Sequence, residues 1–118
     1  MNQVQSNESW RRNVINFDRW SNDAYGVYEF TARNRRHFFR FDIRPHGGVI
    51  RAYIVEQPGY GSRPADGHST HRLTDGAGRT YVCIEPTLEP TTVPQALGWA
   101  VYWAEKTSEY IDTGRMFS

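Results

Sequence analysis

Polar and apolar residues alternate most cleanly from Arg36 to Arg44. His37, Phe39, Phe41 and Ile43 fall on one side, and Arg36, Phe38, Arg40, Asp42 and Arg44 on the other. A period of two is that of a strand with one buried face. The run before it, Tyr25 to Ala32, is rich in aromatic and β-branched residues and predicts a preceding strand. Arg33-Asn34-Arg35 would turn the chain between the two, since asparagine tolerates a left-handed backbone. Pro45-His46-Gly47-Gly48 predicts a second turn. Val49 to Val55 then reads as a third strand, apolar on both faces except for Arg51. Together these segments predict an antiparallel meander.

Residues 57–69 carry Pro58, Gly59, Gly61, Pro64 and Gly67, and the expectation there is a loop without regular structure. A hairpin is expected after it, with arms Thr70–Leu73 and Arg79–Glu85 and a turn at Asp75-Gly76. Pro86, Pro90 and Pro94 mark a further connection, and a helix is predicted over residues 93–112. Thr92 is its N-cap, Pro94 lies in the first turn, Gln95 completes a capping box, and Gly114 ends it. Leu97, Ala100, Val101, Ala104 and Ile111 form its apolar stripe, beside Ala96, Trp99, Trp103 and Tyr110, with Glu105, Lys106 and Glu109 toward water.

Trp10 to Trp20 is compatible with a short helix or an edge strand, and residues 1–9 have the composition of a flexible tail. The fold class that follows is α+β. About five antiparallel strands, a meander plus a hairpin, form a sheet in one domain over residues 10–118, with one C-terminal helix packed on one face.

Composition changes this picture in three places. Aromatics at 14% of 118 residues imply a core filled by large rings, so low mean hydropathy does not signal disorder. Cys83 is the single cysteine, which excludes an intrachain disulfide and predicts a buried thiol. No apolar run approaches the roughly 20 residues of a membrane span. The first residues hold no apolar stretch for a signal peptide, so no membrane association and a cytoplasmic location are expected.

The net charge of +1 predicts no partner by itself, but thirteen of the fourteen basic residues are arginine. Six of them (33, 35, 36, 40, 44 and 51) lie in one nineteen-residue stretch against one acid, Asp42. Arg36, Phe38, Arg40 and Arg44, joined by Arg51 and Tyr53 of the next strand, would share the water-facing side of the sheet. Rings and guanidinium groups on one surface suit single-stranded nucleic acid or an acidic protein face. The competing expectation is ordinary cross-strand pairing of Arg40 and Arg51 with Glu29, Glu56 or Asp42.

A second cluster, Tyr60, Arg63, His68, His71 and Arg72, lies in and after the long loop with Asp66. It offers anion binding, or a simple connector, or histidine acid–base chemistry in a nuclease-like or phosphoryl-transfer enzyme. The two histidines lack a third ligand at recognised spacing, so no metal and no cofactor are expected. Gly59-Tyr60-Gly61 lacks the ending of a phosphate loop. The leading expectation is a non-enzymatic binding or regulatory protein, which includes the case of an inhibitor of nucleic-acid-processing machinery. Its partner would be nucleic acid or an acidic protein, bound through the sheet face and the 57–72 loop. An oligomerising structural protein, using the same face between copies, is the remaining alternative.

Overall fold

The alternation between Arg36 and Arg44 becomes the central strand of one antiparallel sheet. The computed structural model describes residues 24–115, together with the backbone of residues 14 and 15. The expected tail at 1–9, and the rest of the 10–20 segment, lie outside the described residues. In chain order the strands are β1 (Val14–Ile15), β2 (Gly26–Thr31), β3 (Phe38–His46), β4 (Val49–Glu56), β5 (Arg72–Thr74) and β6 (Thr80–Val82). They lie in the spatial order β1-β2-β3-β4-β6-β5. The five expected strands are β2 to β6. At Val14–Ile15 the open choice resolves to an edge strand, pairing Val14 with Phe30 and Ile15 with Glu29.

β3 runs further than the turn signal suggested. Arg44, Pro45 and His46 still pair with Arg51, Ile50 and Val49, so the turn contracts to Gly47-Gly48. Both glycines have positive φ, +56° and +87°, as a two-residue primed turn demands. Arg40 pairs with Glu56 and Phe41 with Ile54, so Val55 is an extra residue at a bulge. The second hairpin turns later than expected. Asp75 accepts from the N–H groups of Ala77 and Arg79, and Gly78, not Gly76, takes positive φ.

The long loop contains a helical turn, α1 (Gly67–Thr70), which the glycine and proline content did not suggest. Asp66 caps it by accepting from Ser69 N–H, and Gly67 at the first position loses no hydrogen bond there. The long helix α2 (Val93–Thr113) begins and ends where its caps placed it. Thr92 accepts from Gln95 N–H, and Gly114 closes the helix in the left-handed conformation. The Gln95 side chain reaches back to Thr91 N–H, one residue beyond the usual box partner.

α2 covers the face bearing Tyr28, Phe30, Phe39, Phe41, Ile43, Ile50 and Ala52. Trp103 stands edge-on to both Phe39 and Phe41, with ring centroids 5.9 and 6.0 Å apart. Its indole N–H donates to Thr70 O at 2.9 Å, tying helix, sheet and α1 together. Trp99, expected beside the apolar stripe, is half-buried and packs edge-on against Tyr102.

Glu105 departs from its expected place in water. The turn after β2 folds over the helix, and Arg33 N–H donates to Glu105 Oε2 at 3.0 Å. Burial raises the carboxyl pKa, and the Arg33 N–H and charge oppose that rise only in part. A raised folded-state pKa means that the fold binds the proton better than the unfolded chain does. Stability is therefore lost as pH climbs from the ordinary glutamate range through the raised value. Glu105→Gln, which keeps an acceptor for Arg33, should raise stability at pH 7 by up to about 1 kcal/mol and have no effect near pH 3. Urea unfolding of both proteins at the two pH values checks this.

Candidate functional site

The face of the sheet away from α2 carries side chains from five elements. β3 contributes Phe38, Arg40, Asp42 and Arg44, and β4 contributes Arg51 and Tyr53. The register sets Tyr53 opposite Tyr81 of β6, and Tyr81 opposite Leu73 of β5. Arg79 reaches in from the second hairpin turn. α2 packs on the opposite face, through Trp103 against Phe39 and Phe41.

The geometry is a lattice of guanidinium groups and rings. Arg51 Cζ lies 3.9 Å from the ring centre of Tyr81, and Arg79 Cζ lies 3.9 Å from that of Tyr53. The two tyrosines meet edge-on with centroids 5.8 Å apart. Arg40 lies over Phe38 at 5.5 Å. Tyr53 is only 6% exposed, although it points away from the helix, because Arg79 and its neighbours cover it. Such stacks contribute roughly 0.5–2 kcal/mol each, more where water is excluded.

Most of the arginine charge is met locally. Arg40 holds Glu29 at 2.6 Å and Glu56 at 2.8 Å. The hydrogen bond to Glu29 is the main reason its pKa is raised. Asp42 receives Arg44 at 2.9 Å and Arg79 at 3.2 Å. Arg51 is different. Its one hydrogen bond is a long one, 3.4 Å from Nη1 to Tyr53 Oη, and its buried Nε has no partner among the described residues. The charge of Arg51 helps to lower the pKa of Asp75, after the N–H groups of Arg79 and Ala77 and the charge of Arg79, but Asp75 is committed to its turn.

Arg36 does not belong to this face. It precedes the first paired residue of β3, so strand alternation does not govern it, and its guanidinium turns to Asp112 at the end of α2. Comparison with known protein families, with curated proteins and with solved structures returns no match. The functional reading therefore rests on the residues themselves.

The 57–72 loop brings its residues together, but mostly to hold the loop. Arg63 donates to Ile111 O at 3.3 Å and Asp112 O at 3.2 Å, satisfying carbonyls at the end of α2. Arg72 donates to Thr70 Oγ1, Gln57 Oε1 and Ala65 O, and lies 4.9 Å from the Tyr60 ring centre. Tyr60 is buried edge-on against Tyr110, whose hydroxyl donates to Pro64 O. His68 is exposed, and His71 is half-buried with a left-handed backbone. Burial, then the charge of His68, lowers the His71 pKa. Among the described residues no group of three or more metal-ligating side chains converges.

A serine–histidine–aspartate grouping appears that spacing did not reveal, because its members stand 71 and 4 residues apart. Ser108 Oγ lies 2.7 Å from His37 Nδ1, and His37 Nε2 lies 3.7 Å from Asp112 Oδ1. Asn34 Nδ2 donates to both Ser108 Oγ and Asp112 Oδ2 at 2.9 Å. Ser108 is 3% exposed within α2, where neighbouring N–H groups are spent on the helix and none is offered to an oxyanion. The grouping fastens the β2–β3 turn to the helix.

Proposed function

We propose that this is a non-enzymatic binding protein whose open sheet face takes an acidic surface of a protein partner. The observation that carries this reading is Arg51, a guanidinium laid on Tyr81 with no carboxylate in ion-pair reach among the described residues. Arginine and tyrosine held rigid on one surface are the residues that dominate protein interfaces, and a stacked arginine loses little further entropy on pairing. The same geometry favours protein over nucleic acid. The rings of Tyr53 and Tyr81 are already capped by guanidinium groups, so they offer bases no free stacking platform, and Arg40, Arg44 and Arg79 are already partly neutralised.

Arg44→Glu combined with Arg79→Glu tests the face without touching Arg51. A partner that copurifies with the wild type, once identified and purified, should bind the double variant at least about tenfold more weakly. Binding is compared at a temperature where circular dichroism shows both proteins folded, the variant melting lower because Asp42 loses both arginines and Tyr53 its stacked guanidinium. A single-stranded 20-mer of DNA or RNA should show no saturable binding at physiological salt. Oligonucleotide affinity falling steeply with salt, or a partner indifferent to both reversals, would defeat the reading.

A further inference from the structure

At the Arg51 end of the face, the sheet and the segment leading to α2 enclose a cavity of about 210 Å³. Ile50, Leu73, Tyr81 and Val82 line it from the strands, Cys83 and Ile84 from beyond β6, and Pro86 and Pro90 from the connection. Leu73 stands 46% exposed, a large aliphatic side chain left in water beside an apolar hollow. The volume is below the roughly 300–1,000 Å³ of a small-molecule site, and it has room for one large side chain. Its charged residues are divided. Arg51 comes from β4, while the exposed Glu85 and Glu89 come from the connection.

We infer that this cavity is an anchor pocket for one large apolar side chain of a protein partner, flanked on the partner by an acid that meets Arg51 and a base that meets Glu85 or Glu89. The inference rests on the binding reading of the sheet face and narrows it to a segment of defined pattern. Arg51 supplies the reason for the acid, since its guanidinium has no carboxylate in ion-pair reach among the described residues and its buried Nε has no hydrogen-bond partner there. Among the described residues the Glu85 carboxylate accepts a 3.3 Å hydrogen bond from Thr87 Oγ1 and is met by no cation, and so supplies the reason for the base. An apolar residue alone would fill the hollow, and the two flanking charges would fix the direction of the segment across it.

Cys83 makes the test internal to the protein, because it lines the cavity and is the only cysteine in the chain. Alkylation of Cys83 by iodoacetamide at pH 8.5, followed by intact mass, reports occupancy. The probes are blocked tripeptides Glu-Phe-Lys and Lys-Phe-Glu, and the same pair with alanine in the centre. One phenylalanine order should protect Cys83 saturably with a Kd near or below about 1 mM, and the alanine peptides should bind at least about tenfold more weakly. Arg51→Gln should weaken the protecting peptide by about tenfold, with protection in each protein measured against that protein's own alkylation rate without peptide. No saturable protection up to about 10 mM, or equal protection by the alanine peptides, or indifference to Arg51→Gln, would overturn the pocket. Those failures, with partner binding still lost in the Arg44→Glu, Arg79→Glu protein, would remove the pocket alone. Protection without any face-dependent partner would remove the wider reading and leave the pocket.

Discussion

Replacing Trp103 by alanine should cost about 3–5 kcal/mol of unfolding free energy, the largest loss from any single substitution considered for this protein. The indole fills the space between α2 and the central strand, edge-on to two phenylalanines, and is 2% exposed. Its removal leaves a cavity that Phe39, Phe41 and the small residues of the helix cannot close without moving the backbone. Trp103→Phe separates packing from hydrogen bonding. It restores most of the volume but strands Thr70 O, which accepts the indole N–H. We expect that variant to lose about 1–3 kcal/mol. Urea denaturation followed by circular dichroism measures both. Equal stability of the wild type and the alanine variant would mean that the helix does not rest on the sheet through this ring.

The second large effect concerns the end of α2. Arg63→Met should lose about 2 kcal/mol, because two helix carbonyls, Ile111 O and Asp112 O, lose a charged donor at a partly exposed site. Gly114→Ala should lose about 1–2 kcal/mol for two reasons. The residue has φ of +79°, and an added Cβ would meet Arg63 Nη1 at 2.8 Å. Since the new methyl group displaces the same guanidinium, the losses should not add. The double variant should be less destabilised than the sum by about 0.5–1 kcal/mol in a double-mutant cycle. Strict additivity would show that Arg63 is not held against the helix terminus.

The parts of the fold legible in the sequence are those in which one local signal decides. Thr92, Pro94 and Gly114 fix both ends of α2 through backbone geometry alone, and the two-residue period fixes which side of β3 is buried. The signals that misled were those that depend on a neighbour. Gly76 looked like the turn residue until Asp75 took two N–H groups and passed the positive φ to Gly78. Glu105 matched a water-facing position on a helical projection, but a projection cannot show that the β2–β3 turn folds across it.

The candidate face was legible in the same uneven way. Arg40, Arg44, Arg51 and Tyr53 share it because strand alternation put them there. Arg79 and Tyr81 were missed because only the pairing of Tyr53 with Tyr81 brings the second hairpin alongside β4. The loop arginines drew attention for their chemistry. What no spacing could show is that Arg63 and Arg72 reach backbone carbonyls.

At the β5 margin, only the three residues Arg72–Thr74 lie along the outside of the sheet. The chain enters this strand from His71, whose left-handed backbone breaks the extended path, and leaves it into the tight Asp75 turn. A stray extended peptide meeting this border would find too few in-line amide groups to grow the sheet outward. At that border the protein is guarded against fibre-like stacking by brevity, which lets a tyrosine- and leucine-bearing surface lie nearby without seeding aggregation.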